Sequence, residues 1–403
     1  MKEPKLPRLA LLFAQFSAYH VDRCEAVAER MGDRFEVLAV EVATRSETYA
    51  WDPSGAVGGT RKLTLFPGAS YDSVDWLRRL FAQFKALWRC RVVLVGIGYN
   101  QPDIVILSWL LRLLGVRVIM LSESKFDDKP RRAGFELFKA LLLSAYCAAI
   151  VGGRRQIEYA RFVGFRTRPV MPGYDTVGLD RVRAMGGPAA PQGLPYADRS
   201  FVFVGRFVAK KGLFDLIEGY ALYARCAGDA ARRLVLVGAG PEQAVLRSRV
   251  VELGIARLVD FPGFLGAEAV ARQLAAALAL VLVSREEQWG LVVNEALAFG
   301  LPVIVSEPVG SRDALVRNLI NGFVVEPGSA KGLAAALRAL ASDTALWQRM
   351  VTASNARAWL GDTERLADAV EAICGLASDA ARQRIDTFLD ELACNRLPRS
   401  AES

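Results

Sequence analysis

Histidine occurs once in the 403 residues, at His20. A zinc site built from several histidines is therefore excluded, and a Ser-His-Asp triad has only that residue to form around. The six cysteines, Cys24, Cys90, Cys147, Cys226, Cys374 and Cys394, are scattered without a C-x-x-C pair. Such spacing argues against a metal cluster and for reduced thiols in a cytoplasmic protein. No apolar run found reaches the ~20 residues that cross a bilayer; the central uncharged stretch, Ala140 to Gly153, falls short. The opening MKEPKLPRLALLFAQF has a basic head but no small-residue cleavage site, so it reads as a first buried strand rather than a signal peptide. Acids are scarce in the first half. Residues 1–183 hold 28 lysines and arginines against 19 acids, a balance of +9, while the remainder holds 23 against 24, or −1. A nucleic-acid surface would suit that asymmetry, but no recognised nucleic-acid-binding signature accompanies it.

With 52% hydrophobic and 23% charged residues the chain is globular, and its length suits two domains. The stretch AMGGPAAPQGLPYADRS breaks the pattern with Gly and Pro and reads as a linker. Before it, the β-branched runs RLALLFA, RFEVLAV, RVVLVG, VRVIML and CAAIVG alternate with helix-length segments. After it, SFVFVG, RLVLVG, ALVLVS, LPVIVS and GFVVEP repeat the rhythm. Continuous apolar strands separated by helices indicate parallel sheets covered on both faces. The expected fold is α/β, two doubly wound Rossmann-like domains facing a central cleft. The expected segments are a first domain over 1–183, a linker over 184–199, a second domain over 200–362, and helices over 363–403 that cross back to the first domain. In such sheets ligands gather beyond the carboxyl ends of the strands.

Two strand-to-helix turns of the second half stand out. In SREEQWGLVVNEALAFGLPVI, Glu287 falls in the turn and Glu295 near the start of the next helix. A carboxylate accepts two hydrogen bonds side by side, which matches a vicinal diol. Gly290 lets backbone approach a ligand, and a helix start suits a phosphate. The plainer reading is that Glu295 complements the helix dipole and Glu287 is solvated. In SFVFVGRFVAKKGLFDLIEGY, Arg206 follows the strand and Lys211 precedes Gly212. Two cations at one turn can hold a diphosphate, although a surface basic turn would look the same.

Taken in order, VGRFVAKKG, LVLVGAGPE, SREEQWGLVVNEALAFGLPVIVSEPVGSRD and NGFVVEPG resemble the nucleotide-binding half of the glycosyltransferase family 4 enzymes of GT-B fold. The resemblance runs over about residues 200 to 340. It implies a retaining transfer on the front face of the sugar, from a nucleoside-diphosphate sugar to a hydroxyl acceptor such as a glycan, glycolipid or polysaccharide precursor, without a metal or other cofactor. It assigns Arg206 and Lys211 to the donor diphosphate, Glu287 to the transferred sugar and Glu295 to the ribose, making Arg206, Lys211 and Glu287 the catalytic set. Gly205, Gly238, Trp289, Gly290 and Leu291 join Glu295 as donor-binding positions. A nucleotide-sugar epimerase and a non-catalytic sugar or nucleotide binder remain as alternatives.

The first half departs from the family. Where relatives carry glycines in the first strand-to-helix turn, this chain has Ser17, Ala18, Tyr19 and His20; where they carry a later histidine, it reads VIMLSESKFDD. His20, Ser122 and Glu123 are candidates for the acceptor side, against the plainer reading of His20 as a helix-start residue bonded to backbone. Finally, WLRRLFAQFKALWRCR at 76–91 places Leu77, Leu80, Phe81, Phe84, Leu87 and Trp88 together, with Arg78, Arg79, Lys85, Arg89 and Arg91 and no acid. A cationic amphipathic helix either lies on an anionic membrane or packs on a core with its basic face solvated. The expected location is cytoplasmic, with peripheral contact at the inner membrane face.

Overall fold

Strands of Val, Leu, Ile and Ala that are apolar on both faces can only sit in the middle of a layered α/β unit, and two such units form. The computed structural model describes residues 5–46, 54–128 and 130–393; Cys394 and the rest of the last ten residues lie outside them. The first unit takes Met1–Thr176 together with Thr363–Ser403, the second Val177–Asp362.

The first unit contains strands β1 (Arg8–Phe13), β2 (Glu36–Arg45), β3 (Arg61–Ser70), β4 (Val92–Val95), β5 (Arg117–Ser122), β6 (Ala148–Val151) and β7 (Val170–Pro172). Its helices are α1 (Ala18–Met31), α2 (Trp76–Leu87), α3 (Pro102–Leu113), α4 (Ala133–Leu142) and α5 (Arg154–Phe162). The strands pair in parallel in the order β3-β2-β1-β4-β5-β6-β7. The second unit contains α6 (Leu179–Gly186), β8 (Ser200–Val204), α7 (Leu213–Ala227), β9 (Leu234–Val237), α8 (Gln243–Glu252), β10 (Val259–Gly263), α9 (Ala267–Ala275), β11 (Ala277–Leu282), α10 (Val292–Ala298), β12 (Val303–Ser306), α11 (Arg312–Leu315), β13 (Gly322–Val325), α12 (Ala330–Ser342) and α13 (Thr344–Arg357). Its order is β10-β9-β8-β11-β12-β13, again parallel. Helices α14 (Glu364–Ile373) and α15 (Asp379–Ala393) close the first unit.

Both orders reverse direction at one place, between β1 and β4 and between β8 and β11. Helices leaving the two strands on either side of a reversal go to opposite faces of the sheet, which opens a crevice at the strands' carboxyl ends. Topology alone therefore fixes where each unit has a crevice open to a ligand.

The expected boundaries shift. Helix α6 belongs to the second unit, where Arg183 Nε donates to the Ala298 carbonyl at 3.0 Å. The segment expected as a linker over 184–199 is packed rather than free. Arg199 is buried and donates to the carbonyls of Leu194, Ala275 and Ala277 at 2.8, 3.0 and 2.9 Å. Its Gly and Pro content makes turns around that guanidinium. In the first unit, Leu366, Val370 and Ile373 of α14 share a core with Cys24, Val27 and Met31 of α1. Arg30 of α1 binds Asp368 at 2.7 Å and Glu371 at 3.2 Å beside it.

Candidate functional site

The segments that follow β8 and β11, the strands on either side of the reversal, carry the four charged residues singled out in the second half. After β8 the chain passes Gly205 and Arg206, makes one 3-10 turn over Ala209–Lys211, and enters α7 through Gly212. Gly212 has φ +67°, and a Cβ there would lie 2.3 Å from the Val283 carbonyl oxygen, so this turn rests directly on the end of β11. The loop after β11 is fastened to it. Backbone N–H groups of Arg285 and Glu286 donate to the Lys210 carbonyl at 2.8 and 3.2 Å, and the Arg285 fork spans both carboxylate oxygens of Asp215 at 2.8 and 2.9 Å.

These ties place the Lys211 ammonium on the Glu287 carboxylate, whose Oε2 also receives the Ser284 hydroxyl at 3.0 Å. The pair is mostly buried, at 15% and 13% exposure. Sequence reading gives Lys211 to a diphosphate and Glu287 to a sugar; the structure shows them bound to each other. Arg206 is exposed at the mouth of the same turn. Glu295 lies in the first turn of α10, half-buried, as is Leu291 at the helix cap.

The glycines have steric reasons. A Cβ on Gly238, after β9, would sit 1.9 Å from the Gly205 carbonyl oxygen, and one on Gly205 would meet the Phe203 ring at 3.1 Å. Gly290 has φ +95°, and a Cβ would press on Leu282 at 2.9 Å and Glu287 at 3.4 Å. Trp289 requires a correction. Its side chain is buried and its indole N–H donates to Asn294 Oδ1 at 2.9 Å, while its carbonyl accepts from Ser311 N–H at 3.0 Å. An aromatic in a motif looks available to a ligand, but here it braces α10 from inside.

The first unit has its own cluster. His20 is the third residue of α1, and its Nδ1 accepts the Ser17 N–H at 3.0 Å, completing a capping box. The proton of a neutral ring is therefore on Nε2. The ring lies 4.3 Å from that of Phe13, and burial, with Arg23 nearby, holds the imidazole well below its usual range. This is the helix-start reading rather than the catalytic one. Ser122 ends β5 and its hydroxyl accepts the Ser124 N–H at 3.2 Å, a local turn. Glu123 is joined by a residue that sequence reading missed. Asp175, just past β7, is buried, and burial together with the Glu123 carboxylate and a hydrogen bond to it raises its pKa well above the carboxylate range, against the pull of Arg23. Arg23 stacks on Tyr174 at 4.7 Å and donates to the Thr176 carbonyl at 3.2 Å. The only sequence signal was Gly173-Tyr174-Asp175 after a short apolar run.

The basic segment at 76–91 is also corrected. Asp75 caps α2 by accepting from the N–H groups of Leu77 and Arg78, and the helix ends at Leu87. Arg79 is not on an outer face. It is buried with a bidentate bond to Asp103 at 3.1 Å for each arm, and it donates to the Tyr71 and Val74 carbonyls at 3.0 and 3.1 Å. Among the described residues no group of three or more His, Cys, Asp or Glu could hold a metal, and no helix is long and apolar enough to cross a membrane.

Residues 190–359 match the sequence model of the family described as glycosyl transferases group 1. A D-inositol 3-phosphate glycosyltransferase of Streptomyces avermitilis is 32% identical over 219 residues, 52% of this chain and 47% of that protein. A lipopolysaccharide core biosynthesis glycosyltransferase, LpsE, of Rhizobium meliloti is 33% identical over 147 residues, 36% of this chain and 41% of that protein. The matches thus span less than half the length of either relative. Among solved structures, Anabaena HepE in complex with UDP and glucose superposes with TM-score 0.67 at 16% identity, over 92% of this chain and 99% of that one. The lipopolysaccharide outer core galactosyltransferase WaaB in its apo form gives 0.60 at 14%, over 95% and 99%. At such identities the likeness is one of fold, and the fold is the two Rossmann-like units of the GT-B glycosyltransferases.

Proposed function

We propose that this chain, whose residues 190–359 carry a glycosyl transferases group 1 domain, moves a sugar from a nucleoside-diphosphate sugar to a hydroxyl acceptor with retention at the anomeric carbon. The observation that carries the reading is the contact of Lys211 with Glu287 at the β8/β11 reversal. It brings a cation suited to phosphate and a carboxylate suited to hydroxyls together where topology puts a ligand. HepE, of the same fold, was solved with UDP and glucose, which supports a donor of that class here.

In the proposed reaction the bond from the anomeric carbon to the donor's phosphate oxygen breaks and a bond to the acceptor oxygen forms. The acceptor hydroxyl passes its proton to the departing phosphate oxygen, and the nucleoside diphosphate leaves with the remaining negative charge. Arg206 and Lys211 stabilise that charge as it develops, which gives the protein's own cations the task a divalent metal performs elsewhere. The diphosphate draws Lys211 away from Glu287, and the freed carboxylate accepts from the sugar hydroxyls, as Glu295 does from the ribose. The acceptor is a glycan or lipid-linked hydroxyl received by the first unit.

A panel of nucleoside diphosphates and their sugars tested for thermal stabilisation identifies the donor, since a ligand of the folded state raises stability by RT ln(1 + [L]/Kd). Transfer assays with that donor then run with and without an acceptor and with a chelator. Product formed only with acceptor and unaffected by the chelator is expected. Conversion of the donor without acceptor indicates an epimerase, and stabilisation without turnover a binding protein.

A further inference from the structure

Helix α4 is inside out. Its buried side chains are Glu136 and Lys139, whereas Phe135, Leu137, Phe138 and Leu141 are 62, 75, 54 and 62% exposed. A helix normally turns its apolar face inward. Here a buried network fixes the opposite orientation. Lys139 Nζ donates to Glu136 Oε1 and Oε2 at 2.9 and 3.0 Å and to the Tyr159 hydroxyl at 2.6 Å. Tyr159 donates to Glu136 at 2.8 Å and accepts from Arg131 at 2.9 Å. Burial alone would raise the Glu136 carboxyl, but Lys139 and Tyr159 outweigh it and hold the group ionised. Rolling the helix over to hide its phenylalanines would break every bond that Glu136 and Lys139 make to Tyr159.

The neighbouring helices expose apolar side chains too. On α3 these are Ile106, Trp109, Leu110 and Leu113; on α2 they are Trp76, Leu77 and Phe81. Between the start of α3 and α4 lies an open groove of ≈ 420 Å³ lined by Tyr99, Val105, Ile106, Phe135, Phe138 and Leu142, among others. Exposed apolar side chains beside an open groove mark a site of association.

Charge selects what covers it. The acids of α2, α3 and α4 are Asp103 and Glu136, both buried against Arg79 and Lys139. The exposed charges of the three helices are Arg78, Lys85 and Arg112, all cations. A second copy meeting this face through a twofold axis would set those cations against themselves with no exposed acid on these helices to answer them. An anionic lipid surface supplies the opposite charge and an apolar interior at once.

We propose that α2, α3 and α4 form a docking surface on which the protein lies in the interface of an anionic bilayer, with the α3–α4 groove admitting a hydrocarbon chain of one of its lipids. The surface extends the contact expected at 76–91 to two further helices and removes Arg79 from it. It does not rest on the donor chemistry, because the test contains no donor.

Flotation of the full chain with phosphatidylcholine vesicles, with and without phosphatidylglycerol, reads the proposal directly. At low salt the protein should float with the anionic vesicles, and added salt should weaken this. The variant Phe135→Ser/Leu137→Gln/Phe138→Ser/Leu141→Gln should bind at least about tenfold more weakly. The variant Arg78→Gln/Lys85→Gln/Arg112→Gln should lose the preference for phosphatidylglycerol. Thermal midpoints should stay near that of the native chain, since none of the seven side chains is buried. A native chain that never floats overturns the proposal, as does an α4 variant that floats as the native chain does. A native dimer that the α4 substitutions split into monomers assigns the face to a second copy and overturns it equally.

Discussion

Lys211 and Glu287 neutralise each other in the absence of a ligand, which gives their substitutions a different signature from that of Arg206. Removing one member of a mostly buried pair leaves the other charge without its partner, at a cost of up to about 3–5 kcal/mol for a fully buried case and less for this partly exposed one. Lys211→Ala should therefore lower both thermal midpoint and turnover, and the Lys211→Ala/Glu287→Gln double variant should recover part of the stability but none of the activity. Arg206 is exposed. Arg206→Ala should leave stability within about 0.5 kcal/mol and still reduce turnover by about 10²–10³. Equal stability losses in denaturant titrations of the two single variants would refute the distinction. His20 gives a prediction in pH. Burial depresses its proton affinity in the folded chain, so the unfolded chain binds the proton first as pH falls. The stability this neutral histidine contributes is complete above about pH 6.5 and is lost as pH drops below that value. His20→Gln keeps a capping-box acceptor for the Ser17 N–H but does not titrate. Its thermal midpoint should fall less than that of the native chain between pH 7 and 5, and parallel profiles would contradict the assignment.

At the scale of elements, the turn from β8 to α7 is held to the end of β11 by a missing side chain. Gly212→Ala would introduce a Cβ 2.3 Å from the Val283 carbonyl at a residue with φ +67°, so strain in the left-handed region adds to the clash. The turn must then back away from β11, and Lys211 with it. A loss of about 2–4 kcal/mol is expected together with loss of nucleoside-diphosphate stabilisation, read in one melting series; an unchanged melt would mean that the contact is not needed. What the sequence revealed of the elements divides by where they lie. The central strands, apolar on both faces, are legible, whereas β3, β7 and β10 escaped. Each of the three carries a proline, Pro67, Pro172 and Pro262, and each is at a sheet edge, where an absent N–H costs nothing. The donor residues are legible because a strand-to-helix turn concentrates them within a few positions. The link between Glu123 and Asp175 is not, since the two follow different strands and lie 52 residues apart. The orientation of helix α4 is not legible for a different reason: periodicity finds an apolar stripe but not its direction, and only Glu136 with Lys139 three residues on hints that the charged side is the one to be buried.

For the whole molecule, the chain leaves the first unit at Thr176 and rejoins it at Thr363, so the two units are unequally autonomous. The second is continuous and carries all the residues proposed for the donor. The first depends on a distant piece of chain. Leu366, Val370 and Ile373 are buried in its core, and Asp368 binds Arg30, Arg365 and Arg384 at 2.7, 2.9 and 2.5 Å. Three buried aliphatic side chains contribute about 1.5–3 kcal/mol each, which together approaches the 5–15 kcal/mol net stability of an ordinary domain. Ending the chain after Asp362 should therefore unfold or aggregate the first unit, although the segment removed contains none of the proposed donor residues. A protein of residues 177–362 should fold alone and keep its stabilisation by the nucleoside diphosphate that stabilises the full chain. Limited proteolysis of the shortened chain gives a direct reading, with rapid digestion of residues 1–176 and survival of the second unit expected. Survival of both would show that the core around Cys24, Val27 and Met31 closes without α14, and digestion of both that the second unit does not stand alone.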